Sequence, residues 1–291
     1  MTSPADLRRA HFLSQFDLAT RTGLEIGPFD RPIFSRADFP NILYADVKDT
    51  AELRRLARAS PTRTEADVVP VDFVLLDKQL DEVVPQQSLD FVFCAHVLEH
   101  VPDLVAVLNS VEAILRPGGL FLIVYPDRHY TYDIDRPATS LAQFRDRHTR
   151  RISRPDPETV EEHFLNHRKV MVGRLWQGLP DSKGPRVFTP EQARNRADTA
   201  RTSYIDVHCN VLNAREFGNV IKALRDDGLT GFEIADIDPT RAPLNEFYVA
   251  LKKPGAKAAV RPVNQLAERS RRILERTRRV LGRARRSLGL L

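Results

Sequence analysis

Cysteine is scarce in this chain, with only Cys94 and Cys209 among 291 residues. Two cysteines cannot form a disulfide framework or a zinc cluster of the cysteine-rich kind. The sequence therefore predicts a fold that depends on its apolar core. At 42% hydrophobic residues, a chain of this length can bury a large one.

Long hydrophobic runs are also missing. The longest candidates, such as residues 119–125 (GLFLIVY), are far too short to span a bilayer. The first residues, MTSPADLRRAHFLSQF, have no continuous apolar stretch behind a basic start, so they do not resemble a signal peptide. We therefore expect a cytoplasmic protein.

The body of the chain has no excess of positive charge. Residues 252–291 carry 13 Lys and Arg against 2 acidic residues, whereas residues 1–251 carry 31 against 37. The body has no basic face with interleaved aromatic residues, so specific nucleic-acid binding is not expected. Residues 262–291 alternate apolar residues by three and four opposite a face of arginines, which predicts a basic amphipathic helix. Such a helix can make weak contact with an anionic membrane, which for a cytoplasmic protein is the inner face of the cell membrane. The alternatives are pairing as a short coiled coil and nonspecific binding of nucleic acid.

The dinucleotide-binding signature G-x-G-x-x-G is absent, although the two apolar runs and the later acidic residue that usually accompany it are present. In residues 22–46, a short apolar run leads through Glu25 to Gly27, and a second run ends at Asp46, about twenty residues later. A glycine turn lets backbone N–H groups approach a ligand, and the later acid can accept hydrogen bonds from ribose hydroxyls. A loop without further glycines is poorly suited to bind a pyrophosphate. The spacing therefore suggests an adenosine-containing ligand other than a dinucleotide.

The most specific segment is Ser88 to Val101, SLDFVFCAHVLEHV, followed by a predicted helix that ends at residues 115–119 (LRPGG) and by the apolar run LFLIVYPD. Together with residues 22–46, this order of motifs resembles the class I S-adenosylmethionine-dependent methyltransferases. Phe29 departs from their pattern, since it stands where the second motif glycine usually lies.

The resemblance implies an α/β fold with a Rossmann-like seven-stranded, mostly parallel sheet and flanking helices. The methyltransferase domain would cover residues 1–251, with an insert or lid at about 128–204, and a basic helical tail would cover 252–291. S-adenosylmethionine is the implied cofactor. The positions that match the family's cofactor-binding motifs are Glu25, Gly27, Asp46, Asp72, Phe73 and His96. Asp72 has a second interpretation, as an acid that caps a turn.

Polar residues cluster directly after the strand that ends near Tyr125. Carboxylates, guanidinium groups and tyrosine bind vicinal hydroxyls, so this cluster favours a sugar or polyol acceptor. The segment PDRHYTYD also resembles bacterial methyltransferases of polysaccharide and glycan biosynthesis, which implies a sugar, nucleotide-sugar or glycan hydroxyl. The candidate acceptor residues are Arg128, Tyr130, Asp133 and Arg136. The candidate bases are His208, Asp127 and His163, with His208 favoured because histidine titrates in the useful range.

Three alternatives stay open at this point. His96, Glu99 and His100, predicted on one helix face, resemble the E-x-x-E-H pattern of some metal-dependent 2′-O-methyltransferases, but a structural role is favoured over a divalent metal site. The acceptor could instead be lipid-linked or a small aromatic molecule. The chain could also be a catalytically silent, cofactor-binding scaffold that docks a partner glycosyltransferase.

Overall fold

The computed structural model describes residues 3–255. Its larger sheet has seven strands in the order β3-β2-β1-β4-β5-β9-β8, and β6 and β7 pair as a separate antiparallel ribbon. The strands are β1 (Gly23–Ile26), β2 (Ile42–Asp46), β3 (Phe73–Val74), β4 (Leu89–Ala95), β5 (Leu115–Pro126), β6 (Arg168–Val170), β7 (Lys183–Arg186), β8 (Glu233–Asp238) and β9 (Glu246–Lys252). The first five are mutually parallel, and β9 and β8 form an antiparallel end. The predicted Rossmann-like sheet is confirmed.

The flanking helices begin where the sequence supplies capping side chains. Ser3, Ser140, Thr189 and Asn213 each accept a hydrogen bond from the third helical N–H in a capping box. The helices are α1 (Pro4–Leu13), α2 (Thr50–Arg58), α3 (Leu80–Val83), α4 (Leu104–Ile114), α5 (Leu141–Arg150), α6 (Pro157–Asn166), α7 (Val172–Trp176), α8 (Pro190–Ala200) and α9 (Ala214–Asp226).

The central strand β4 is buried on both faces. Val92 and Cys94 pack into one apolar cluster with α4 and α9, while Phe91 and Phe93 pack into a second cluster with α1. A strand in the middle of a parallel sheet is covered on both sides, which explains why its sequence is almost continuously apolar. The ends of these central strands are thereby held rigidly in place.

The chain leaves the larger sheet after β5 and rejoins it only at β8. A long insert lies between β5 and α9, the helix that precedes β8. The intervening residues hold α5 to α8 and the β6–β7 ribbon, and part of this insert has its own small core, which includes Val160, Phe164 and Ala193. A single helix from Glu158 to Leu175 is predicted by the sequence, and this is wrong: α6 ends at Asn166, and β6 separates it from α7.

Two further sequence expectations about elements are wrong. Residues 202–212 read as a strand, but the structure assigns them no strand, because their backbone groups bond to other loops; Val211 N–H, for example, donates to Thr139 Oγ1 at 2.9 Å. The helix before β5 ends at Ile114, and residues 115–119 already belong to β5.

No helix among residues 3–255 is both long enough and apolar enough to cross a membrane. The predicted basic helix at 262–291 lies outside the described residues. The predicted boundary between residues 251 and 252 stays a prediction.

Candidate functional site

The carboxyl ends of β1, β2 and β4 meet at one edge of the sheet. Ile26 pairs with Ala45 on β2 and with Cys94 on β4, so the residues that follow these strands lie side by side. Strand order reverses between β1 and β4, and open α/β sheets bind ligands at such a point. This edge therefore brings together Gly27, Asp46 and His96, as the sequence predicts.

The loop after β1 has an unusual backbone. Gly27 has φ +72°, and its N–H donates to Ala45 O at 2.8 Å. Phe29 also has a positive φ, 49°, although it is not a glycine. Its ring is covered by the Arg63 guanidinium at 4.1 Å and packs near Leu53, so packing stabilises a conformation that an L-residue rarely adopts. The turn forms although the second motif glycine is missing.

Asp46 ends β2 in a setting that suits an adenosine. Burial raises the pKa of its carboxyl, and the backbone N–H groups of Lys48 and Val47 offset part of that rise. Beside it lie two exposed apolar side chains, Val47 at 55% and Leu76 at 70%. Leu76 N–H donates to Val47 O at 3.2 Å, which holds the two residues together. A carboxylate next to an apolar surface offers partners for ribose hydroxyls and for an adenine ring, so these residues fit the implied cofactor.

Glu25 stabilises the backbone of the loop that follows β1. Its carboxylate is 3% exposed and accepts the N–H groups of Ile33 (2.8 and 3.1 Å) and Phe34 (2.9 Å). Burial raises its pKa to about 7, against the opposing effect of these hydrogen bonds. Glu25 therefore anchors residues 33–34 below the turn that carries Gly27.

Asp72 lies at the other end of its strand. The sequence predicts a strand that ends at Asp72 and Phe73, but β3 begins with Phe73, so Asp72 precedes it. The Asp72 carboxylate accepts the Tyr44 N–H at 2.7 Å and pairs with Arg36. Because ligands bind at the carboxyl ends of parallel strands, Asp72 is at the wrong edge to hold adenine. This geometry supports the alternative of a structural acid.

His96 follows β4 in a tight turn. The prediction that it opens a helix together with Glu99 and His100 is wrong: His96 has φ 54°, and α4 begins only at Leu104. Its Nε2 lies 2.7 Å from Glu246 Oε2 and 3.1 Å from the Arg8 guanidinium. Burial alone would lower the pKa of His96, but Glu246 and Glu99 outweigh it and raise the pKa to about 9. His96 therefore carries a positive charge at neutral pH.

A cavity of about 440 Å³ lies between this edge and the insert. Its walls combine histidine and tyrosine rings with the β6 residues Arg168 and Lys169. Its lining includes His96, Glu99, His100, Pro126, Tyr130, Thr131, Tyr132, His167, Arg168, Lys169, Val170, Val172, His208 and Asn245.

His208 is part of a buried hydrogen-bond chain in the cavity wall. Its Nδ1 lies 2.5 Å from Asp133 Oδ2, and its Nε2 lies 2.6 Å from the Tyr132 hydroxyl. Arg136 donates to Asp133 at 2.8 Å and to the carbonyl of His208 at 2.9 Å. Burial would raise the pKa of Asp133, but His208 and Arg136 outweigh it and lower the pKa to about 2. Asp133 is thus ionised and orients the His208 ring.

Of the other residues that the sequence predicts for the acceptor or the base, some line the cavity and others pair within the protein. Tyr130 lines the cavity and stacks on Trp176, with ring centroids 4.2 Å apart. Arg128 does not line it, since its guanidinium pairs with Glu216 at 2.8 and 2.9 Å. Asp127 accepts the His129 N–H (2.9 Å) and the Thr240 hydroxyl (2.7 Å), so it stabilises a corner of the chain.

His163 and Arg136 lie behind the cavity wall. Burial lowers the pKa of His163 to about 3, which keeps its ring neutral, and the ring packs edge-on against Tyr132. Arg136 is buried against Asp133 and does not line the cavity. Neither residue reaches a ligand in the cavity directly.

Sequence reasoning missed Tyr132 and Glu246 as members of this site. Tyr132 is within the polar cluster after β5, so its membership could have been suspected there. Glu246 begins β9, 150 positions after His96, and nothing in the local pattern NEFYVALK connects the two. Only the antiparallel pairing of β9 with β5 brings its carboxylate to this edge.

Comparison with known proteins agrees with this geometry. The family model described as "Methyltransferase domain" matches residues 7–167, which is more than half of the chain. The chain therefore belongs to the methyltransferase domain family. The predicted membership of a methyltransferase family is thereby confirmed.

Curated relatives match over a short part of the chain. A ubiquinone biosynthesis O-methyltransferase of Paramagnetospirillum magneticum is 46% identical over 55 residues, 19% of this chain and 21% of the relative. Another, from Bradyrhizobium, is 35% identical over 51 residues, 18% of this chain and 20% of the relative. The chain thus spans about a fifth of the length of these curated relatives. Their names give no support to the predicted resemblance to polysaccharide methyltransferases.

Solved structures with a similar chain path include two methyltransferases. An S-adenosylmethionine-dependent methyltransferase from Mesorhizobium loti is 15% identical, with 84% of this chain and 96% of that one covered and a TM-score of 0.43. One from Aquifex aeolicus is 14% identical, with 87% and 94% covered and a TM-score of 0.43.

Proposed function

We propose that this protein transfers a methyl group from S-adenosylmethionine to a hydroxyl group of a polyhydroxylated acceptor, of the sugar or nucleotide-sugar kind. The observation that supports this most is the Asp133–His208 pair beside a polar, aromatic cavity at the carboxyl edge of the sheet. The edge supplies the cofactor residues, and the insert supplies the acceptor residues. A methyl donor and a hydroxyl could therefore meet at one point.

The cofactor would bind between the β1 turn and the end of β2. Gly27, which has no side chain, would let the cofactor approach the backbone of the turn, Asp46 would accept hydrogen bonds from the ribose hydroxyls, and Val47 and Leu76 would cover the adenine ring. Asp77, which directly follows Leu76, takes the place of Asp72 as the acid nearest the adenine position. The sulfonium of the bound cofactor supplies an electrophilic methyl group.

The acceptor would bind in the 440 Å³ cavity. The ring of Tyr130, held flat against Trp176, offers a face for a sugar ring. Lys169 adds positive charge to the cavity lining, which favours an anionic acceptor such as a nucleotide-sugar, whereas the Arg168 guanidinium pairs with Asp135.

Methyl transfer needs alignment and the removal of one proton. Holding the acceptor oxygen in line with the methyl group removes much of the entropic barrier. His208 is our candidate base, because Asp133 fixes its Nδ1–H and leaves Nε2 to face the Tyr132 hydroxyl and the cavity. A positioned base of this kind is worth about 10²–10⁴-fold in rate.

Calorimetry with S-adenosylmethionine, S-adenosylhomocysteine and NAD tests the cofactor site. We expect binding of the first two and not of NAD. Asp46→Ala should weaken this binding on the order of 100-fold, since it removes hydrogen bonds to a charged group worth about 1.5–3 kcal/mol. Asp17→Ala, which changes an exposed acid far from the site, is the matched control. Equal binding by both variants would contradict the role of Asp46.

A screen with radiolabelled methyl donor tests the acceptor. Nucleotide-sugars, free sugars and phenolic compounds are compared, with His208→Gln as the catalytic variant. Labelling of sugar hydroxyls that His208→Gln abolishes, with cofactor affinity unchanged, is the expected result. Labelling of phenols alone would replace the sugar proposal with a small aromatic acceptor, which the short similarity to ubiquinone biosynthesis O-methyltransferases favours.

The predicted partners stay predictions. A glycosyltransferase partner for a silent scaffold, and weak membrane contact through residues 262–291, both depend on a segment outside the described residues. Flotation of the full chain with anionic and neutral vesicles tests the membrane contact. Cofactor binding without any methyl transfer in the acceptor screen would favour the silent scaffold.

A further inference from the structure

Glu99 is a buried carboxylate without a hydrogen bond, although the His96 imidazolium lies near it, with Nδ1 3.5 Å from Glu99 Oε1. It is 1% exposed, and neither of its oxygens has a hydrogen-bond partner among residues 3–255. A buried charge without hydrogen bonds costs several kcal/mol, so such groups are normally paired or bound to a metal. The Glu99 carboxylate therefore indicates a ligand that would complete this part of the cavity wall.

Three imidazoles surround this carboxylate, those of His96, His100 and His208. Glu99, His100 and His208 each offer a ligand atom, and these atoms all lie within 4.8 Å of one another. His100 Nε2 is 3.8 Å from Glu99 Oε1, and the rings of His100 and His208 pack edge to face with centroids 4.8 Å apart. The three side chains converge on one point from different directions.

Each imidazole is oriented by its own carboxylate. His100 Nδ1 lies 2.8 Å from Asp206, and His208 Nδ1 lies 2.5 Å from Asp133. A carboxylate that accepts the Nδ1–H of a histidine fixes its tautomer and leaves the lone pair of Nε2 for a metal. His208 Nε2 contacts the Tyr132 hydroxyl at 2.6 Å, and an ion would take the place of that hydroxyl.

Hydrogen bonds to the backbone of the turn after β4 hold Glu99, His100 and His208 close together. The N–H groups of Cys209 and Asn210 donate to the carbonyl of Glu99, at 2.6 and 3.0 Å. The Asn210 side chain also donates to Leu98 O and to Val101 O, both at 2.8 Å. These bonds fasten the segment around His208 to the turn after β4, although 109 positions separate His208 from Glu99.

We propose that Glu99, His100 and His208 bind a divalent first-row transition metal ion such as Zn²⁺, with Asp206 and Asp133 as supporting residues. Two imidazole nitrogens and one carboxylate oxygen suit these ions, whereas Mg²⁺ and Ca²⁺ prefer all-oxygen sites. The set differs from the trio suggested by the sequence. His208 replaces His96, because His96 Nε2 is held by Glu246 and Arg8.

The consequence for catalysis rests on the function proposed above. Three protein ligands leave coordination positions open, and all three ligands line the 440 Å³ cavity. An acceptor hydroxyl bound there would have its pKa lowered by the ion, which favours an acceptor with two adjacent hydroxyls. In the metal-loaded protein His208 would be a ligand and not the base, and the ion would stabilise the alkoxide while the hydroxyl proton passes to solvent water in the cavity.

Titration of the chelator-treated full chain with Co²⁺ alone tests the site. We expect ligand-field bands in the visible spectrum that Zn²⁺ displaces and Mg²⁺ does not. Glu99→Gln and His100→Gln should each weaken Co²⁺ binding about 100-fold or more. Asp206→Asn, which changes an exposed supporting residue, should weaken it about 10–100-fold. His163→Gln, which changes a neighbouring histidine outside the set, should bind as the wild type does.

The outcomes are separable from those of the cofactor test. Absence of Co²⁺ binding in the wild type, or equal binding by wild type and Glu99→Gln, overturns the site. Equal losses in His163→Gln and Glu99→Gln also overturn the proposed ligand set. Circular dichroism of each variant distinguishes a lost site from a lost fold. If S-adenosylmethionine binds in the presence of chelator while Co²⁺ does not bind, the metal site fails and the proposed function stands.

Discussion

The stability of this protein should depend on the protonation of Glu25. Its carboxyl has a pKa of about 7 in the folded chain, against an ordinary value of 4.5, because burial disfavours the charged form. The folded state therefore binds this proton more tightly than the unfolded state does. The resulting stabilisation is fully present below pH 4.5 and is lost as the pH rises through 7. At 1.36 kcal/mol per pH unit, the difference amounts to about 3 kcal/mol.

Denaturation of the wild type and of Glu25→Gln at a series of pH values measures this effect. The neutral amide cannot titrate, so the free energy of unfolding of the wild type minus that of the variant should fall by about 3 kcal/mol between pH 4.5 and 8. The slope should not exceed about 1.4 kcal/mol per pH unit, since one proton is involved. Other titrating groups cancel in the difference.

Glu191→Gln, which changes an exposed acid on α8, is the control and should show a flat difference. A flat difference for Glu25→Gln as well would refute the reasoning. It would mean that the N–H groups of Ile33 and Phe34 stabilise the carboxylate enough to cancel its burial.

Three further substitutions give measurable outcomes. Gly27→Ala should cost about 1–2 kcal/mol in chemical denaturation, because φ is +72° there, whereas Gly173→Ala, at an open helical position, should cost nothing. Asp133→Asn should lower the free energy of unfolding by about 1.5–3 kcal/mol, because it weakens a buried, charged hydrogen bond to Arg136 and leaves Glu162 as its remaining carboxylate partner; full stability in the variant would contradict this. Tyr125→Phe should cost about 1–2 kcal/mol in thermal unfolding, because it removes a buried 2.6 Å hydrogen bond.

Local pattern predicted the sheet because its signals are short-range. The apolar run of β4, the glycine of the β1 turn and the acid at the end of β2 each reflect a need of their own strand or turn. Parallel strands then bring Gly27, Asp46 and His96 to one edge whatever the details of the insert. The meeting of these three residues at one edge was accordingly predictable from the sequence.

The residues that line the cavity were harder to predict from the sequence, because their positions depend on contacts between distant segments. Asp127, Arg128 and Arg136 have the chemistry of acceptor ligands, but their charges are used for pairing within the protein. Polar residues that cluster in sequence need partners when they are buried, and the sequence does not say whether a ligand or another side chain supplies them.

The sequence by itself determined the class of fold and the sheet edge at which Gly27, Asp46 and His96 meet, since these follow from periodicity and from turn chemistry, and its motifs indicated the methyltransferase family by resemblance. Only the tertiary structure decided that His208 joins Glu99 and His100, and that His96 pairs with Glu246 instead. The physical reason is that backbone hydrogen bonds from residues 209 and 210 to Glu99, and the pairing of β9 with β5, connect positions more than a hundred residues apart.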